Sequence, residues 1–118
     1  MLIPKKKSSY KDGVVYIYSE NLKETTFNAK KNVKTKEDLT YITKMFYKVE
    51  SIRHQDFVFA ESMDRKLTLK LKTPITNKVN INHKAVIGTE LYDIFELDKD
   101  QNNNELYLYL EKVRNIEG

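Results

Sequence analysis

The chain has 118 residues, 40% hydrophobic and 32% charged, with a formal net charge of +4. That length predicts one domain with enough apolar content for its own core. The absence of cysteine excludes disulfides, thiolate catalysis and cysteine-held zinc. No apolar run approaches the roughly 20 residues a membrane helix needs, so no membrane partner is expected.

Residues 1–12 form a basic lead with Pro4, Lys5, Lys6, Lys7, Ser8 and Ser9, closing on an Asp12-Gly13 turn signal. They are predicted to be a flexible N-terminal arm, with residues 13–118 as a single β domain. No apolar stretch follows the lysines, so no secretory signal is expected. Charge is uneven. Residues 1–36 hold nine basic residues against three acidic ones, and residues 37–118 hold twelve against fourteen. A basic front end of this kind is either a solvated tail or a phosphate contact.

Val14 to Tyr18 is β-branched and aromatic, which predicts a first strand. Residues 20–36 are polar and without period, a long flexible loop. Thr35, followed three residues later by Asp38, predicts the opening of a short helix with Leu39 and Ile42 on one face. Lys44 to Ile52 is compatible with helix or strand. The alternation of Met45, Tyr47 and Val49 with Phe46, Lys48 and Glu50 favours a strand. His54 to Met63 predicts one short helix, with Phe59 and Met63 at i, i+4.

Leu67, Leu69 and Leu71 alternate with Thr68, Lys70 and Lys72, and Pro74 closes the run, so residues 66–73 are predicted to be a strand. Val79 to Ile87 alternates and Gly88-Thr89 turns it into Leu91 to Leu97, a hairpin. Asp98 to Asn104 is a polar turn. Leu106, Leu108 and Leu110 then alternate with Tyr107, Tyr109 and Glu111 in the last strand. The fold class that results is all-β: a small antiparallel barrel of about six strands with one short helix.

The candidate chemical sites are weak. His54 and His83 lack further ligands for a metal. Asp98, Asp100 and Asn102 begin like a calcium loop, but Asn103 stands where Gly is needed and Tyr109 where a bidentate Glu belongs. An Asn- and Asp-rich hairpin turn accounts for them. No phosphate loop or nucleophile motif is present, so neither catalysis nor a cofactor is expected. Tyr16, Tyr18, Tyr107 and Tyr109 could stack bases in a single-stranded nucleic-acid-binding barrel. They could equally cover a sheet or meet another subunit. The second reading is favoured because the lysine clusters lie in the arms.

Ser51-Ile52-Arg53-His54-Gln55-Asp56-Phe57-Val58-Phe59-Ala60-Glu61 is followed by Leu67-Thr68-Leu69-Lys70-Leu71-Lys72-Thr73. Lys84 to Ile87, Leu91-Tyr92-Asp93-Ile94 and Glu105 to Leu110 complete the pattern. Across residues 44–113 this resembles the small head-tail joining, or head-closure, proteins of tailed bacteriophages. The first 43 residues match less well, and the segment 20–43 departs from the family pattern.

The resemblance implies a virion connector subunit at the head-tail interface, assembled in the bacterial host cytoplasm. It would form a homo-oligomeric ring below the portal, join head to tail and help retain packaged double-stranded DNA. Its expected partners are sister copies, a portal or adaptor protein and a tail-completion protein. A tail-completion or portal-adaptor piece is the near alternative. In a ring of this kind, Lys5, Lys6, Lys7, Lys30, Lys31, Lys34 and Lys36 would face the DNA on flexible segments. Asp56 is expected near a helix N-terminus, where the dipole favours it, and Arg53 is expected to pair with a carboxylate. Phe57, Phe59 and Leu69 are expected to be core or interface anchors, and Tyr107 and Tyr109 interface residues.

Overall fold

Val15 and Ile17 are fully buried while Tyr16 between them faces outward. That is the two-residue period of a half-buried strand, and it recurs in Leu106, Leu108 and Leu110. The structure is a computed structural model that describes residues 10–20 and 38–116. Its elements are β1 (Gly13–Glu20), β2 (Leu39–Val49), α1 (His54–Ser62), β3 (Leu69–Pro74), β4 (Lys84–Ile87), β5 (Glu90–Asp100) and β6 (Glu105–Asn115). Every pairing is antiparallel, and the six strands close into a barrel in the order β1-β2-β3-β6-β5-β4. The expected small antiparallel barrel with one short helix is therefore what the chain forms. The predicted basic arm up to Ser9, most of the predicted loop over residues 20–36 and all seven lysines expected to face DNA lie outside the described residues.

Closing so few strands requires tight curvature. Register shifts supply it between Ile17 and Tyr18 on β1, and at Leu91/Tyr92 and Ile94/Glu96 on β5. A bulge adds local twist and bend where it interrupts the ladder. Gly88, at φ 60°, makes the tight β4–β5 turn where a side chain would be strained. Asn104, at φ 55°, ends the polar turn from β5 into β6, a backbone region that Asn tolerates better than most residues.

The barrel interior is filled by Val15, Ile17, Met45, Tyr47, Leu71, Val79, Ala85, Tyr92, Ile94, Leu106, Leu108 and Leu110. Facing pairs such as Val15 with Met45 and Leu71 with Leu108 put matching apolar positions on one side of the sheet. Thr73 is also fully buried, and its hydroxyl donates to the Pro74 carbonyl at 3.2 Å. A second cluster joins Leu39, Val86, Leu91 and Ile116 with Tyr18 beside it. The Ile116 amide donates to the Thr89 carbonyl at 2.6 Å, tying the end of the chain to the β4–β5 turn.

Three predicted elements are corrected. Leu39 to Ile42 opens strand β2 and not a helix. Thr40, Tyr41, Ile42 and Thr43 favour extended backbone, and Leu39, Thr40, Tyr41 and Thr43 pair directly with β1. Val79 to His83 is not strand; only Lys84–Ile87 is. The Asn80 side chain accepts from the Asn82 amide at 2.9 Å, and the Asn80 amide donates to His83 Nδ1 at 3.2 Å. These local bonds compete with the ladder and make a turn. Strand β3 begins at Leu69, so Leu67 leaves the leucine stripe and packs elsewhere.

Candidate interaction surfaces

Helix α1 lies on the outer wall of the barrel. Its buried positions are Asp56 and Ala60, one helical turn apart. Ala60 packs with Leu67, Phe95 of β5 and Tyr109 of β6, flanked by Ile52 and Tyr107. The Phe59 and Phe95 rings each meet Tyr109 edge-on, with centroids 6.3 Å apart. Lys70 of β3 reaches Asp56 at 3.2 Å and lies 5.1 Å from the centre of the Tyr109 ring. Burial alone would lower the Lys70 pKa. The hydrogen bond and charge of Asp56, together with Tyr109, outweigh it and hold the ammonium above its ordinary value. Burial likewise pushes the Tyr109 phenol up, with Lys70 opposing and Asp56 reinforcing.

Asp56 also accepts from the Arg53 amide at 2.9 Å, in the first turn of the helix. The expected position of Asp56 near the N-terminus is therefore found, and it does two jobs there. The expected pairing of Arg53 is not found. Its side chain is exposed and in no salt bridge among the described residues, and its contribution is the backbone N–H. Of the two roles expected for Phe57 and Phe59, core or interface anchor, their exposure of 44% and 38% removes the first. The helix turns only its Asp56–Ala60 edge inward, which leaves the phenylalanines at the rim. Met63 is exposed too, so the Phe59–Met63 pair is not a buried face. Leu69 is partly buried against the barrel core.

Ion pairs knit most of this side. Lys72 contacts Glu50 and Glu105, each at 3.4 Å, and the Tyr10 hydroxyl donates to Glu105 at 3.0 Å. Asp93 bridges Arg65 and Lys84, Arg65 also holds Glu111 at 3.2 Å, and Lys84 reaches Glu20 at 3.6 Å. Such a network spans β1, β4, β5 and β6. It gives register more than stability, because each half-exposed pair is screened.

The opposite wall looks different. β1 lies three strands from β6 in either direction around the ring, and β2 lies three from β5. The outer faces of β1 and β2 carry Tyr16 paired with Lys44, Val14 with Phe46, and Tyr18 with Tyr41. Phe46 is 62% exposed and Tyr41 51%. Tyr18 and Tyr41 rings sit 6.0 Å apart. Lys44 and Lys48 are exposed on this wall and join no salt bridge among the described residues. The four tyrosines considered together from the sequence therefore do not form one platform. Tyr16 and Tyr18 face one way, while Tyr107 and Tyr109 face the other beneath α1.

The residues that sequence reasoning missed are Tyr41, Lys44, Phe46 and Lys48 on this wall, and Val58 on the helix. Their signal was present in the polar phase of β2, where an aromatic residue stands between two lysines.

At the far end of the β5–β6 hairpin, a surface depression of about 370 Å³ is lined by Asp98, Lys99, Asp100, Gln101, Asn102 and Tyr107. Asp100 spends both carboxylate oxygens on Asn103, accepting its amide at 3.3 Å and its side-chain nitrogen at 2.8 Å. The calcium-like spacing thus serves turn capping. Among the described residues, no group of three or more His, Asp or Glu could hold a metal ion. No described helix is long and apolar enough to cross a membrane. No known family model matches the chain, and no curated protein matches it either.

Proposed function

We propose that this chain is a structural connector subunit of the head-tail joining type, acting by contact and without chemistry of its own. One observation carries the reading: a single rigid barrel exposes two apolar surfaces on opposite walls. One is the α1 ridge with Phe57, Val58 and Met63, and the other is the β1–β2 face with Tyr16, Tyr41 and Phe46. Subunits of a closed ring need two such different surfaces, because a head-to-tail contact repeated by rotation uses both on every copy. Apolar side chains, with Tyr47 and Tyr92 among the aliphatic ones, fill the barrel interior. The resemblance of residues 44–113 to head-closure proteins suggests the partners: a portal or adaptor protein, a tail-completion protein and duplex DNA in the lumen.

The test is removal of the chain from assembling particles. The reading expects heads that fill but then leak DNA or fail to accept tails. Normal, infectious particles without the chain would refute it.

A second reading has one observation in its favour. Tyr16, Tyr41 and Phe46 interleave with Lys44 and Lys48, the mixture that single-stranded nucleic-acid platforms use. Salt-sensitive binding of an oligonucleotide by the isolated chain would favour it.

A further inference from the structure

We infer that the α1 ridge docks on itself: in the free chain it pairs antiparallel with the α1 ridge of a second copy, about a two-fold axis between Phe57 and Val58. The inference goes beyond the connector reading, because it concerns the chain before it meets a particle. The contact covers the ridge that a ring would use, so the dimer has to open before a ring can close.

The outward stripe of α1 has the spacing of a helix–helix seam. His54, Phe57, Val58 and Glu61 stand at i, i+3, i+4 and i+7, and all four are exposed. Asp56 and Ala60 point the other way, into the barrel wall. Phe57 and Val58, 44% and 51% exposed, form the apolar centre of the stripe. Such a pair at helical spacing, framed by polar residues, suits packing against another helix.

The order of charge along the ridge selects the occupant. Arg53 and Lys66 are positive, Glu61 and Asp64 negative. All four are exposed, and none enters a salt bridge among the described residues. Around them, Asp56 is held by Lys70, and Glu111 by Arg65. The signs separate by position. Arg53 and His54 sit at the N-terminal end of the helix, Glu61 and Asp64 at the C-terminal end. Lys66 follows in the turn into β3, where its amide donates to Glu111 of β6 at 2.8 Å. Two acids against that one lysine leave the C-terminal end negative.

A surface with opposite signs at its two ends complements itself after half a turn. His54 and Glu61 are equidistant from the Phe57–Val58 midpoint, so that is where the axis falls. In the antiparallel pair, Arg53 and His54 of each copy face Glu61 and Asp64 of the other, and Phe57 meets Val58 across the axis. The acids also approach the partner's helix N-terminus, where the dipole favours them. A parallel pair would set like charges together at both ends. The β1–β2 wall presents Lys44 and Lys48 about Phe46, charge of one sign, and lacks this two-ended match. A nine-residue helix is about 14 Å long, so the contact is small and the dimer weak and reversible.

Sedimentation velocity of the full-length chain across a concentration series should show a monomer–dimer equilibrium and no larger species. Arg53→Glu/His54→Glu and Glu61→Lys/Asp64→Lys should each raise the half-dimer concentration about tenfold, with thermal midpoints showing that both variants keep the barrel. An equimolar mixture of the two should recover the dimer as a heterodimer. The chain has no cysteine, so engineered thiols report cleanly. On mild oxidation Val58→Cys should cross-link to itself faster than Phe46→Cys, an exposed control on the wall. His54→Cys and Glu61→Cys should join to each other in excess over like with like.

A monomer at every concentration, charge variants that dimerise as the wild type does, or an excess of like-with-like products at His54 and Glu61 would overturn the inference. So would Phe46→Cys joining Val58→Cys faster than Val58→Cys joins itself, which would seat the ridge on the wall. A dimer of a chain that never enters particles would leave this contact standing and remove the connector role. A chain that enters particles and shows no dimer would do the reverse.

Discussion

Asp56 on α1 and Lys70 on β3 meet at 3.2 Å and are both largely buried, so one ion pair anchors the helix to the barrel. The same Asp56 oxygen also receives the Arg53 amide. Removing Lys70 would strand a buried carboxylate, which is costlier than losing the pair's net attraction. Lys70→Ala should destabilise by about 3 kcal/mol. Asp56→Asn, which keeps an acceptor for the cap, should cost less. Denaturant unfolding of both variants and the double variant measures the coupling. Additive losses would show that the two residues act independently.

The same pair predicts a pH dependence. Lys70 titrates above the ordinary lysine value of 10.5 because Asp56 and Tyr109 outweigh the effect of burial. A folded-state value raised in this way contributes stability fully below the unfolded value and loses it as pH rises through the folded one. Tyr109, raised by burial, acts in the same sense. The wild-type chain should therefore lose stability as pH climbs past about 10.5, the unshifted lysine value. Lys70→Gln should be weaker at neutral pH yet flatter across that alkaline limb. Thermal midpoints between pH 8 and pH 12 would reveal this (a range chosen for the measurement, about two units either side of the tyrosine value). Parallel curves would contradict it.

Gly13 and Tyr47 predict a coupled effect. Gly13 lies at φ 154° opposite Tyr47, and a Cβ there would approach the Tyr47 hydroxyl oxygen to 2.7 Å. The ring carbons follow at 3.0 and 3.1 Å, so the whole ring must yield. Gly13→Ala should cost about 1–3 kcal/mol, as overpacking usually does. Tyr47→Phe removes the nearest atom, and Gly13→Ala in that background should cost measurably less. Equal penalties in both backgrounds would mean that backbone conformation, and not the ring, sets the cost.

A contrast between core and ridge tests the assigned burial. Leu108 is fully enclosed, so Leu108→Ala should lose about 2–5 kcal/mol. Phe57→Ala and Val58→Ala should change monomer stability by no more than about 0.5 kcal/mol, because both side chains face solvent. Phe59→Ala falls between, at about 1 kcal/mol, through its edge contact with Tyr109. A large loss at Phe57 would move it into the core.

Much of the barrel was legible because alternation states directly which residues point inward. Leu106, Leu108 and Leu110 defined β6, Gly88-Thr89 defined the hairpin, and the polar run after Asp98 defined the last turn. What alternation cannot state is which strand lies beside which. Tyr16 and Tyr107 looked equivalent in sequence, and only the ring order puts them on opposite walls. At the start of β2, Leu39 and Ile42 suit a helical spacing, and pairing with β1 overrides it. The ridge was half legible. The helix was expected, but its inward edge is the short Asp56–Ala60 side, so Phe57 and Val58 were left for other contacts.

The most direct test of the connector account is a cryo-EM reconstruction of the head-tail junction in particles from the genome that encodes this chain. The account predicts a closed ring of six-stranded barrels, each resting its helix ridge on the tyrosine-bearing wall of the next around a DNA-filled lumen. A junction fully accounted for by other proteins, with no density for this barrel, would contradict it.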